Sequence, residues 1–234
     1  MQLYLQVIFI ILAVAIGALL VDLFKKRANF KLLLSFSGGF LLTIIFTHIL
    51  PESYALGNSI GYFILIGFLL QLTLEYFSKG AEHGHVHVHN EGHSFFPLAI
   101  FISLSIHSFI EVIPVNAHNH EHVGSLFWGV LLHKIPEAIA LKTIFDVSGL
   151  SRTKSWIYVG LFGLTAPLGL IFGESILTTM SIDPSWILGI AIGMFLHIST
   201  TIIFESSEGH KLNVLKLVAI ILGFGVGVLS VLIS

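Results

Sequence analysis

Two short stretches of the chain each set a histidine and a glutamate four residues apart: Ser105-Ile106-His107-Ser108-Phe109-Ile110-Glu111 and Leu132-His133-Lys134-Ile135-Pro136-Glu137-Ala138. On a helix, residues i and i+4 lie on one face, a turn apart, so each stretch presents an imidazole and a carboxylate able to share a cation. Two such faces supply four ligands: His107, Glu111, His133 and Glu137. Imidazole is a borderline donor and carboxylate a hard one. Together they suit zinc first, with iron, manganese, cobalt and cadmium as further candidates, and they suit calcium poorly because calcium takes oxygen donors. The chain has no cysteine, which excludes disulfides and thiolate ligation.

The competing readings of these residues are packing and proton relay. A lone histidine inside an apolar helix usually serves one of those, and a single His-x-x-x-Glu pair carries little weight. Two pairs in consecutive antiparallel helices, both near mid-depth, favour a shared metal. An ionised glutamate at the centre of a membrane helix costs at least about 2.5–3.5 kcal/mol unless a partner or water compensates it. A divalent ion between two glutamates removes that charge. The neutral histidines add ligand strength without charge.

The elements that hold these residues are membrane spans. Of the 234 residues, 55% are hydrophobic and 10% charged, against about 25% charged in soluble domains, and the mean hydropathy is +0.95. Apolar blocks of about 20 residues match the length that crosses about 30 Å of hydrocarbon. The reading is an all-α integral membrane protein of eight transmembrane helices at 3–24, 32–50, 58–77, 95–115, 124–145, 155–177, 185–204 and 212–233. Residues 1–234 form a single transporter-like membrane domain, with a His-rich loop at about 78–94. The first block has no basic region before it and no small-residue cleavage site after it, so it reads as a retained span.

Basic residues mark the cytoplasmic side. Lys25, Lys26, Arg27, Lys31, Lys79, Arg152, Lys154, Lys211 and Lys216 flank the odd-numbered loops, whereas the even-numbered loops carry Glu52, Glu121 and Asp183. Both termini are therefore expected outside. Lys134 and Lys142 fall within span five. With a net charge of −2 and no long basic run, no nucleic-acid partner is expected.

Several secondary features accompany the pairs. His83, His85, His87, His89 and His93 make a tract of the kind that binds zinc weakly. His118, His120 and His122 in the next loop are candidates for collecting ions. Pro136 lies between the ligands of span five and Pro114 beyond those of span four, so each frees a carbonyl and kinks its helix. His48, His197 and Glu174 are candidate pathway residues. Glu52, Glu75 and Glu205 lie near span ends and read as side chains that reach interfacial water.

The two pairs are also where the chain resembles a known family, the ZIP (Zrt/Irt-like) divalent metal transporters. HSFIEV is similar to that family's fourth-span signature, HKIPEA to its fifth-span motif, and SGGFLLTIIFTHILPES to its second span. The resemblance implies a metal site midway along a transport pathway, built from His107, Glu111, His133 and Glu137. Many family members hold a second metal, using the residue after the first ligand of each motif and a carboxylate on span six. Here those motif positions are Ser108 and Lys134, and the Ala166-Pro167-Leu168-Gly169 stretch offers no acid. The expectation is one metal, with the Lys134 ammonium in place of the second. Val112 and Ala138 replace the motif glycines.

The sequence thus points to a non-enzymatic uptake transporter for zinc or a similar divalent ion, with no catalytic cofactor. Its partners are that ion and the lipid bilayer, and a homodimer is left open. A compact multi-pass chain of this kind suits a bacterial inner membrane. Because ligation needs neutral histidine and ionised glutamate, binding should weaken in acid. Three alternatives stand beside this reading: a membrane-embedded metal hydrolase, a metal-sensing receptor and a metal exporter. The first lacks a His-Glu-x-x-His helix and an open ligand position; the second lacks room for an output domain. Direction of transport follows only from the resemblance.

Overall fold

A computed structural model of the chain describes residues 2–23, 30–57, 59–78, 80, 97–117, 123–205 and 213–233. The described residues are helical throughout, apart from turns. In chain order the helices are α1 (Leu3–Leu23), α2 (Phe30–Ile44), α3 (Leu50–Leu56), α4 (Ile60–Ser78), α5 (Leu98–Ile110), α6 (Ile113–Ala117), α7 (Val123–Val147), α8 (Arg152–Gly163), α9 (Thr165–Thr179), α10 (Pro184–Glu205) and α11 (Val214–Ile233). Three of the expected spans are interrupted rods: α2 with α3, α5 with α6, and α8 with α9. The described helices therefore make eight rods. Seven of them are long and apolar enough to cross a membrane. The eighth, α7, has 25 residues and carries Lys134, Glu137, Lys142 and Asp146.

Each interruption has a local cause. A π-helical turn, Ile45–Ile49, joins α2 to α3. Pro51, in the first turn of α3, has no N–H to give to the Thr47 carbonyl, and the widened turn lies just ahead of it. The helix then continues to Leu56, six residues beyond the expected end. Between α5 and α6, Glu111 and Val112 form a turn, with Pro114 following in the first turn of α6, where its missing N–H is harmless. Leu164 breaks the sixth rod three residues before Pro167. The proline therefore sits in the opening turn of α9.

Packing sorts the rods into two sets. In one, α11 lies along α2, and α10 lies along α4 and α2; in the other, α7 lies along α1, α5 along α9, and α8 touches α1 and α7. The sets meet where α2 faces α7 and α4 faces α5. Close approach within the first set depends on a reciprocal pair of glycines. A Cβ on Gly193 would strike the Ile64 carbonyl, and one on Gly67 would strike the Ile190 carbonyl. In lipid, where tails are as apolar as leucine, such backbone contact is a main source of helix association. In the second set, Val14, Ala18, Leu104, Ala138, Leu141, Phe145, Val159 and Phe162 form one buried cluster drawn from α1, α5, α7 and α8.

Candidate metal centre

The polar residues of α5 and α7 are buried where the two sets meet. His107, Glu111, His133, Lys134 and Glu137 are each 0% exposed, and Ser108 is 1% exposed. The four-residue spacing does what helical geometry predicts: His107 Nε2 lies 3.1 Å from Glu111 Oε2. The rings of His107 and His133 meet nearly edge to face, with centroids 6.0 Å apart. One ligand atom from each of His107, His133 and Glu137 lies within 4.8 Å of the others. That spacing leaves a cation between them in reach of all three donors. A modest inward movement would close to the 2.0–2.2 Å distances of zinc ligands. Glu137 Oε1 has no hydrogen-bond partner among the described residues.

Lys134 occupies the side of the cluster where Glu111 stands. Its ammonium contacts Glu111 Oε1 and Glu137 Oε2, and it donates to Ser108 Oγ at 2.9 Å. Its remaining side faces the Phe162 ring, 5.6 Å from the centroid. A buried ammonium between two buried carboxylates removes much of the cost of burying either sign alone. The two carboxylates and the ammonium together carry one negative charge when the histidines are neutral. No carboxylate arrives from α9: its buried residues are Ala166, Pro167, Gly169, Leu170, Gly173 and Leu177. Gly169 lies against the Phe109 carbonyl, so α9 comes close without contributing a ligand.

Both imidazoles are held at their second nitrogen by the opposite set of helices. His107 Nδ1 donates to Gln71 Oε1 of α4 at 3.0 Å, and His133 Nδ1 lies 3.4 Å from Ser37 Oγ of α2.

Residues 81–230, which include both His/Glu pairs, match the family described as ZIP Zinc transporter. The chain belongs to the ZIP zinc transporter family. Protein zntD of Dictyostelium discoideum is 30% identical to this ZIP chain over 171 residues, covering 65% of the chain and 25% of zntD. Zinc transporter ZIP1 of Takifugu rubripes is 28% identical over 153 residues, 61% of this chain and 49% of that protein. Zinc transporter ZIP1 of Danio rerio is 27% identical over 159 residues, 63% and 51% respectively. The chain thus aligns with about half or less of the length of these relatives. With this membership and its long apolar helices, it is a multi-pass integral membrane protein.

Other expected site residues of the ZIP chain lie apart from this cluster. His48, in the π-helical turn, is buried and pairs with Glu52 at 3.4 Å. His197 of α10 contacts Glu75 of α4 and stands nearly perpendicular to the Phe68 ring. Glu174 is on the exposed face of α9. His83, His85, His87, His89, His93, His118, His120 and His122 fall outside the described residues.

Sequence reasoning missed the partners of three histidines. Gln71 carries no charge and no motif, and Ser37 opens the SGGFLLTIIFTHILPES stretch without being singled out there as a partner. Glu75, read as a side chain that reaches water, is instead held by His197. The signal available for the first and last was their spacing: Gln71 and Glu75 are four apart, on one face of an otherwise apolar α4.

A charged network also closes one end of the second set. Lys142, 1% exposed, bonds Asp22 Oδ1 at 3.1 Å and Asp146 Oδ1 at 2.7 Å. Asp22 Oδ2 also accepts from Arg152 Nη2 at 2.9 Å and Trp156 Nε1 at 3.0 Å. It ties the end of α1 to the end of α7 and the start of α8.

Proposed function

We propose that this chain moves a divalent metal ion, zinc first, across the membrane into the cytoplasm through a single site formed by His107, Glu111, His133 and Glu137. The observation that carries the reading is the convergence of His107, His133 and Glu137 on one point, fully buried, at the boundary between two sets of helices. The zinc transporters it resembles support zinc as the cargo, and the family resemblance supports inward transport.

The charges favour one ion over two. The carboxylates and Lys134 sum to −1, so a bound divalent ion brings the site to +1. A second would bring it to +3 in a region of low dielectric. Lys134 also keeps the first ion from being held too tightly, since a transported ion must bind well enough to enter and weakly enough to leave. Lys134 contacts one oxygen of each carboxylate, Glu111 Oε1 and Glu137 Oε2, which leaves Glu111 Oε2, beside His107 Nε2, and Glu137 Oε1 for the ion. Rocking of the two sets about their shared boundary would expose the site to each side in turn.

The test is zinc uptake into proteoliposomes of purified protein, in competition with iron, manganese, cobalt and cadmium. Saturable uptake that disappears in His107→Ala and Glu137→Ala is the expected result; unchanged uptake in both overturns the assignment. Stoichiometry tests the single site. With His83, His85, His87, His89 and His93 changed to alanine, one equivalent of zinc should bind, and two in the core would sink this part of the reading.

A further inference from the structure

Gln71 is a side-chain amide buried on α4, one turn before Glu75. It is 0% exposed, whereas Leu69 and Leu72 beside it are 59% and 48% exposed. A buried amide without partners costs on the order of several kcal/mol against an apolar medium, so its orientation follows its hydrogen bonds. Its oxygen accepts from His107 Nδ1 at 3.0 Å. A neutral imidazole has one proton and one lone pair. With the proton on Nδ1, the lone pair is on Nε2, which lies 3.1 Å from Glu111 Oε2. Two acceptors at that distance repel until a cation stands between them, so this tautomer is the one a bound ion stabilises. The other tautomer would set a lone pair against the amide oxygen and an N–H against an incoming cation.

We propose that Gln71 is a positioning residue of the metal site, holding His107 in the tautomer and ring orientation that direct Nε2 to the ion. The inference rests on the metal-site reading above and goes beyond it, because Gln71 is assigned a role that acts through His107. It belongs to α4, in the set of helices that carries none of the four ligands. Ser37 meets His133 from the same set over a longer 3.4 Å, and its grip is correspondingly the weaker of the two. Partners at the second nitrogen of a metal-binding histidine fix its tautomer and raise its basicity, and their loss costs about 10–100-fold in affinity or activity.

The experiment compares Gln71→Leu, Gln71→Asn and Gln71→Glu in the full chain, reading the zinc concentration for half-maximal uptake and the maximal rate in proteoliposomes. Gln71→Leu keeps the bulk and removes the acceptor. Gln71→Asn keeps the amide but withdraws it by one methylene. Gln71→Glu keeps an acceptor at full reach. Leucine and asparagine should raise the half-saturating zinc concentration about 10–100-fold, and glutamate should restore it to the wild-type order of magnitude. A residue that only ties α4 to α5 would change thermal stability without this recovery. Should the leucine variant fail to fold, asparagine and glutamate decide alone: wild-type half-saturation in asparagine, or none of the recovery in glutamate, overturns the proposal. His107→Ala separates the two levels. If it leaves uptake intact, the metal-site reading itself fails; if it abolishes uptake while Gln71→Leu has no effect, only the role of Gln71 does.

Discussion

Lys134 stands between Glu111 and Glu137 with its ammonium in contact with both carboxylates. Removing one member of such a buried set leaves charge uncompensated, at a cost of about 3–5 kcal/mol. Lys134→Met should therefore destabilise the metal-free protein strongly. Zinc should then restore more stability to the variant than it adds to the wild type, because the ion no longer competes with an ammonium for the carboxylates. A ligand at 100 times its Kd contributes about 2.7 kcal/mol. Thermal melts with and without zinc measure both quantities. Equal zinc-induced shifts in the two proteins would show that Lys134 is not in competition with the ion.

The exposure of Glu174 separates it from the buried residues of the proposed site. His107→Ala and Glu137→Ala each remove a donor from the convergent cluster and should lower zinc uptake at least about 10-fold, since even a hydrogen-bond partner behind a ligand is worth that much. Glu174→Gln changes a side chain on the outer face of α9 and should leave uptake near wild type. Initial rates in proteoliposomes, normalised to protein content, make the comparison.

Lys142 tests the charged network at the end of α1, α7 and α8. Its side chain is 1% exposed and meets Asp22 and Asp146, whose side chains are 14% and 36% exposed. Lys142→Met should destabilise by about 3 kcal/mol, the low end for a broken buried pair because its acids retain some solvent. Arg152, 77% exposed, meets Asp22 from the outside. Arg152→Gln should cost no more than about 1 kcal/mol. Chemical denaturation of the two variants in the same detergent gives the ordering, and an equal loss would contradict it.

The sequence carried the spans and the His/Glu pairs because both are local signals. Apolar blocks of helix length announce α1, α4, α10 and α11, and a four-residue spacing places His107 over Glu111 whatever else the chain does. The partners of those residues are not local. Gln71 reaches a histidine 36 residues away, Glu75 one 122 residues away, and Lys142 an aspartate 120 residues away. Nothing in periodicity couples such positions. Lys134 lay between these cases: its place in the motif suggested a partner for one of the glutamates, and it meets both, Glu137 three residues on along its own helix and Glu111 across from it in the turn after α5. The interruptions of the rods at Ile45–Ile49 and Leu164 were likewise hidden, since hydropathy is unchanged across them.

Glycine positions supply the last comparison, because two of them differ in what surrounds them. Gly193 of α10 faces the Ile64 carbonyl and the Phe68 amide, so a methyl group there has only backbone to displace and α10 must move off α4. Gly160 of α8 has nothing within 4 Å of the position a Cβ would take. It lies in an apolar recess lined by Ile11, Val14, Trp156 and Val159. Alanine is favoured over glycine in a helix interior by about 0.8–1.0 kcal/mol. Gly160→Ala should therefore be neutral or stabilising by up to that amount. Gly193→Ala should instead lose stability, by the 1–3 kcal/mol typical of overpacking, and should lower uptake by loosening the set on which the ligand-bearing helices move. Melting temperatures of the two variants, measured side by side, should shift in opposite directions or leave Gly160→Ala unmoved. A loss in Gly160→Ala equal to that in Gly193→Ala would mean that flexibility of the helix, and not close packing, is what both glycines provide.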